Sequence, residues 1–240
     1  MSAMFSSRPS STLDPLPHRH GVPPLGRCGL HSLTATLIAT VVVLGLGSLL
    51  ALPAQVHASS RCATLKGASL GDDGLARVMN SGGSLSWNCL RIIGNRSLTT
   101  LDLSRLTSLT YLKIEDNENL TEVKFPDSSR LRYIYIKNND KLAKANFFSL
   151  TRLIHLSIEG NDALEEIDLE SLVRLQCLHI QDNDLLKRIS ASELIESHCI
   201  RIINNDKCLK TINFPKLVNV THLRIEGNDK LTKIIMHDTS

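Results

Sequence analysis

The stretch LTYLKIEDNENL, Leu109 to Leu120, alternates apolar and polar residues through Leu112 and Ile114 and then breaks into a polar turn. Alternation with a period of two is the pattern of a strand with one buried face. LRYIYIKNNDKL, Leu131 to Leu142, repeats it 22 residues later, and LIHLSIEGNDAL, Leu153 to Leu164, repeats it again. A fixed period of this length is the mark of a solenoid, in which each repeat contributes one coil.

The register is set by asparagine, at 95, 117, 139, 161, 183, 205 and 228, in five steps of 22 and one of 23. Three residues before each Asn stands Ile92, Ile114, Ile136, Ile158, Ile180, Ile202 or Ile225. Two residues earlier stands Leu90, Leu112, Ile134, Leu156, Leu178, Ile200 or Leu223. Three residues after the Asn comes a leucine in six blocks, and the sixth block shifts it by one to Leu209. A second apolar pair in period two, such as Val123 with Phe125 or Ile167 with Leu169, gives each block a second extended segment. A block this short has no room for a strand plus a long helix, so the chain must turn almost at once. Like residues then stack on like at about 4.8 Å, the spacing of neighbouring strands. The fold class expected is a parallel β solenoid, a right-handed superhelix of about seven 22-residue coils over residues 90–240, without a C-terminal cap.

The Asn column is expected to point inward, its amides hydrogen-bonding turn backbone of their own and adjacent blocks. The rival reading is a calcium row of Asp140, Asp162, Asp184, Asp206 and Asp229. It is the weaker one, because Asp is a favoured turn residue and the glycine-rich calcium repeat is missing.

The first 58 residues stand apart. Leu33 to Leu52 holds twenty residues without a charge, preceded by Arg8, Arg19 and Arg27 and followed by PAQVHASS. That is the layout of a signal peptide cut after Ala58, and the run is also long enough to be an uncleaved signal anchor. Either way the positive-inside rule places the repeats outside the cytosol, secreted or membrane-anchored. The formal charge of +3 shrinks once this leader is set aside: three Arg and Asp14 leave 24 basic against 23 acidic residues in the remainder. A near-neutral chain with no Lys/Arg run does not call for nucleic acid as a partner. The membrane is met only through the N-terminal apolar segment.

The strand phrases LTYLKIEDN and LQCLHIQDN match the leucine-rich repeat, and the opening from Cys62 through SLGDDGLARVMN (Ser69 to Asn80) to NCLRIIGN (Asn88 to Asn95) resembles the receptor L domain. That family forms the ligand-binding ectodomain lobes of insulin-type and EGF-type receptors. The resemblance covers about Arg61 to Ser240 and implies a cap over residues 59–89, with a short helix between two cysteines and Asp72 or Asp73 as its helix cap. It implies a binding lobe. A cysteine-rich module and a kinase are not present in the sequence, so a signalling receptor is not implied.

Five cysteines follow the leader, in a compartment that permits disulfides. Cys62 with Cys89 would staple the cap. Cys177 and Cys199 occupy one slot in adjacent blocks, close enough to bond; Cys208 is the alternative partner of Cys199, or stays free. Of three N-x-S/T triplets, Asn119 and Asn219 are the expected glycan acceptors, and Asn95 belongs to the inward column.

What the core does not claim faces outward. The slot before the first apolar residue reads Cys89, Tyr111, Tyr133, His155, Cys177, Cys199, His222; the next reads Arg91, Lys113, Tyr135, Ser157, His179, Arg201, Arg224. All three tyrosines of the chain thus fall on one face beside His and Arg. Such residues bury area while keeping a polar end, which suits recognition of another protein. The ligand-binding candidates are Tyr111, Lys113, Tyr133, Tyr135, His155, His179, Arg201 and Arg224. The bland reading is that the aromatics only stabilise the sheet by cross-strand contact. His155 with His179 would make a zinc site only with a third ligand, and no metal or cofactor is expected. There is no glycine-rich phosphate loop, no G-x-S-x-G and no H-E-x-x-H, so no enzyme is expected. The function read from the sequence is an extracytoplasmic module binding a protein or peptide ligand on its strand face. The alternative is a structural or adhesive surface scaffold, and self-association at the uncapped C-terminal end is a further expectation.

Overall fold

The computed structural model describes residues 55–59, 62–67, 71–72, 87–127 and 130–237. The apolar leader, Asp73, and all but Gly71 and Asp72 of the expected helix over residues 69–80 lie outside the described residues. The cut expected after Ala58 falls inside the first strand described below.

Strands are numbered in chain order. One sheet of nine is built from β1 (Gln55–Ser59), β2 (Cys62–Lys66), β3 (Cys89–Ile93), β5 (Tyr111–Glu115), β7 (Tyr133–Lys137), β9 (His155–Glu159), β11 (Arg174–Gln181), β13 (Glu196–Ile203) and β15 (Asn219–Glu226), adjacent in that order. The second face carries two shorter sheets. One is β4 (Thr100–Asp102), β6 (Glu122–Lys124) and β8 (Lys144–Ala145); the other is β10 (Glu166–Asp168), β12 (Arg188–Ser190), β14 (Thr211–Phe214) and β16 (Lys233–Met236). Every coil-to-coil pairing is parallel and in the register the repeat dictates, so that Leu112 stands beside Leu90 and Ile134, and Ile114 beside Ile92 and Ile136. This is the parallel β solenoid of about seven coils.

The inward columns form one continuous core. Leu109, Leu112, Ile114 and Leu120 are each fully buried, as are their counterparts Leu131, Ile134 and Leu142. A fully buried Leu or Ile contributes about 1.5–3 kcal/mol over an exposed one, and each coil supplies several of them. Phe125 and Phe147 fill the second face of neighbouring coils with ring centroids 5.5 Å apart. The second-face sheet breaks after β8, whose inward residue is Ala145 where neighbouring coils place Val123 and Ile167.

The asparagines do what their column requires. Asn139 Nδ2 donates to the Ile114 carbonyl at 3.3 Å, to the Lys137 carbonyl at 2.9 Å and to Asn161 Oδ1 at 3.1 Å. Its own Oδ1 accepts from the Asn117 backbone N–H at 3.1 Å and from Asn117 Nδ2 at 3.0 Å. The same pattern links Asn95, Asn117, Asn161, Asn183, Asn205 and Asn228 into one chain of amides. The chain has a direction: the amide N–H points to the next coil, so at the first coil Asn95 Oδ1 is buried without a partner. The residue before each Asn is in the left-handed region: Gly94, Asp116, Asn138, Gly160, Asp182, Asn204 and Gly227 all have φ between 52° and 66°. Only Gly, Asn and Asp visit that region readily. It swings the chain so that the next amide turns inward.

The N-terminal end departs from the expected cap. There the structure places a hairpin: β1 pairs antiparallel with β2, and β2 continues the sheet parallel to β3. The reason is in the residues, since Ala63 and Leu65 alternate with Cys62, Thr64 and Lys66 and are fully buried, as a solenoid strand requires. The Asp72 side chain reaches the start of β4. Its carboxylate accepts the backbone N–H groups of Thr99 at 2.8 Å and Thr100 at 3.0 Å, and the Thr99 and Thr100 hydroxyls as well. Burial opposes the charged form, and these hydrogen bonds outweigh it to hold the carboxyl below its ordinary value. Cys62 and Cys89 are joined by a disulfide. Cys177 and Cys199 stand side by side as thiols, and Cys208 is a third thiol.

Candidate functional site

The strand face of the nine-stranded sheet carries the outward columns. In β3, β5, β7 and β9 each strand reads half-buried, buried, half-buried, buried, half-buried, so the outward residues are spaced two apart and partly covered by one another. The register places Tyr111 beside Cys89 and Tyr133, and Tyr135 beside Lys113 and Ser157.

The rings lean across this grid. Tyr111 meets Tyr135 diagonally, with centroids 5.5 Å apart and planes tilted by 38°. Tyr133 stacks on His155 at 5.3 Å with planes 13° apart. The Arg91 guanidinium carbon lies 5.8 Å above the Tyr111 ring, within the range of a cation–π contact. Arg91, Tyr111, Tyr133, Tyr135 and His155 therefore form one patch on four adjacent strands. Burial raises the Tyr135 hydroxyl pKa, with Tyr111, Tyr133 and Cys177 adding to it, so this phenol is a neutral donor near neutral pH. Burial also lowers His155, partly offset by a hydrogen bond with Gln176, which keeps the imidazole neutral over a wider pH range.

Charges on the face are largely matched from within. Lys113 pairs with Glu115, Lys137 with Glu159 at 2.6 Å and Arg224 with Glu226 at 2.7 Å. The Glu159 carboxylate accordingly raises the Lys137 pKa, chiefly through their hydrogen bond. Among the described residues no carboxylate pairs with Arg91 or Arg201.

Of the residues expected from sequence, the structure gathers Tyr111, Lys113, Tyr133, Tyr135 and His155 on three adjacent strands, β5, β7 and β9, in the middle of the sheet. His179, Arg201 and Arg224 lie on the following strands of the same sheet. His155 and His179 do not converge: His155 is spent on Tyr133, and His179 Nε2 meets Gln181 Oε1 at 3.0 Å in another column. Two participants were missed. Arg91 was visible in its column but owes its role to the ring beneath it. His198 meets His222 edge-on at 5.1 Å, a contact the alternation of β13 does not announce.

The glycan candidates differ. Asn119 is engaged at both ends of its amide, donating to the Arg96 carbonyl and accepting from Lys141 Nζ, each at 2.7 Å. Asn219 is exposed at the start of β15. In the acidic row Asp184 pairs with Lys207, and burial together with Asp184 raises the Asp162 carboxyl. A crevice of about 1000 Å³ opens on the second face at the break between β8 and β10, lined by Phe125, Phe147, exposed Phe148, Glu122, Glu166 and Asp168.

No family model matches the chain, no curated protein is significantly similar to it, and no solved structure matches it.

Proposed function

We propose that the protein is an extracytoplasmic binding module that recognises a protein or peptide ligand on its strand face, in the manner of the receptor L domains its repeats and opening resemble. The observation that carries this reading is the patch of Arg91, Tyr111, Tyr133, Tyr135 and His155, in which rings and a guanidinium touch on an open sheet. Half-buried rings lose little freedom on binding and keep hydroxyls for hydrogen bonds, the economy that makes Tyr and Arg frequent anchors. The Cys62–Cys89 disulfide suits an oxidising compartment, secreted or surface-held. A second reading has its own support: the internal ion pairs Lys113–Glu115, Lys137–Glu159 and Arg224–Glu226 favour a self-satisfied scaffold face.

The two are separated by selecting binders from a displayed peptide library on the full chain. The selected peptides should lose about tenfold or more in affinity for Tyr133→Ala and for Arg91→Glu, and keep it for the second-face variant Arg188→Glu. Peptides that bind the strand-face variants undiminished, or that respond only to Arg188→Glu, contradict the assignment.

A further inference from the structure

We propose that Cys177 and Cys199 form a second cross-strand disulfide site, open as two thiols in this structure and closed by exchange with a small-molecule disulfide. The inference rests on a register that occurs twice. Cys62 and Cys89 are direct partners on the parallel strands β2 and β3, and they are bonded. Cys177 and Cys199 are direct partners on the parallel strands β11 and β13. Both pairs hold the same slot, immediately before the first inward residue: Ala63 and Leu90 follow the one pair, Leu178 and Ile200 the other. The register and the side of the sheet that carry a disulfide at the first coil recur between the fifth and sixth coils.

The two thiols are direct cross-strand partners, and Cys199 is among the causes that raise the Cys177 thiol. Their exposures give them different parts. Cys177 is half-buried and Cys199 is 8% exposed, so an incoming disulfide meets Cys177 first and Cys199 resolves. In the first exchange the Cys177 thiolate attacks the reagent, forming a mixed disulfide and releasing one thiol. In the second the Cys199 thiolate attacks the Cys177 sulfur and expels the other thiol. Two protein thiols are oxidised with loss of two protons, and one reagent disulfide is reduced to two thiols. Burial and the neighbouring Cys199 push the Cys177 thiol up to about 11, with Arg201 acting weakly against them. His155 on β9, Tyr135 on β7 and His179 on β11 itself complete its titratable surroundings. The first exchange is therefore slow at neutral pH and quickens as pH rises.

Cys208 is no competitor in this geometry. It sits on the turn before β14 near Lys187, away from the strand face. Closure would tie the fifth coil to the sixth beside the aromatic patch, though the proposal stands on the cysteine register and not on any ligand.

The test incubates the full chain with oxidised glutathione at pH 8.5 and then maps peptides without reduction. Titratable thiols should fall by two, with the peptide bearing Cys177 linked to that bearing Cys199. Cys208→Ser should give the same link. The melting temperature should rise by about 4 °C on oxidation of the unaltered chain and of Cys208→Ser, and not in Cys177→Ser. An unchanged number of thiols, a Cys199–Cys208 link, or a Cys177 mixed disulfide that Cys199 never resolves would each overturn the proposal.

Discussion

Leu156 and Leu223 hold the same place in the repeat, yet the first is 1% exposed and the second 41%. β9 lies between β7 and β11, whereas β15 pairs with β13 alone. The asparagines differ in the same way. Asn139 gives three hydrogen bonds and receives two, with full burial. Asn228 receives from Asn205 but donates only to the Ile202 and Glu226 carbonyls, at 2.9 and 3.0 Å. Identical letters thus do different amounts of work, because burial and hydrogen bonding in a stack belong to the interface between coils rather than to the coil.

The strongest challenge to this comparison is the amide ladder. Asn139→Leu strips partners from the buried Asn117 N–H and from the Ile114 and Lys137 carbonyls, and should cost about 3–5 kcal/mol in urea unfolding. Asn228→Leu should cost roughly 1 kcal/mol, because the groups it frees are closer to water. Equal losses would mean that the ladder is not what distinguishes the coils. Next in size is the core pair: Leu156→Ala is expected to lose about 3 kcal/mol and Leu223→Ala roughly 1 kcal/mol by the same measurement.

The turns sharpen the contrast further. A Cβ on Gly160 would stand 2.8 Å from Asn138 Oδ1, while one on Gly94 meets nothing within 4 Å, and both residues have positive φ. Gly94→Ala should cost about 1 kcal/mol for the left-handed backbone alone, and Gly160→Ala about 2 kcal/mol, as thermal melts of the two variants can show. The smallest effect is a pH slope. His155 is held below 6.5 by burial, so the stability carried by its neutral form is present above pH 6.5. That stability is lost as pH falls through the lowered folded value. Melting temperature against pH should fall more steeply below 6.5 in the unaltered chain than in His155→Gln; parallel curves would remove His155 from the account.

The solenoid was legible because its columns are chemically pure: Ile at one position and Asn at another, seven times over. The left-handed column was harder to see, because Gly94, Asp116, Asn138, Gly160, Asp182, Asn204 and Gly227 share no side-chain chemistry, only tolerance of positive φ. β2 escaped because it lies 27 residues before β3 rather than 22 and lacks the Ile and Asn of the repeat, although the alternation of Ala63 and Leu65 was there to read. On the strand face the columns were readable and the contacts were not. The register sets Tyr111 beside Tyr133, but its ring goes to Tyr135, since side chains longer than the strand spacing reach diagonal neighbours. The self-paired charges of Lys113 and Arg224 depend on rotamers, which a column of letters does not contain.

A face kept for a partner requires strand-face aromatics that the fold itself does not need. Tyr133→Ala removes a half-buried ring stacked on His155 and leaves the core columns untouched. Equilibrium unfolding in urea, run beside Asn139→Leu, should show a loss under about 1 kcal/mol for Tyr133→Ala against several for the ladder variant. A loss for Tyr133→Ala as large as that for Asn139→Leu would show that the tyrosines hold the sheet together, and would contradict the reading of this face as a surface kept for a partner.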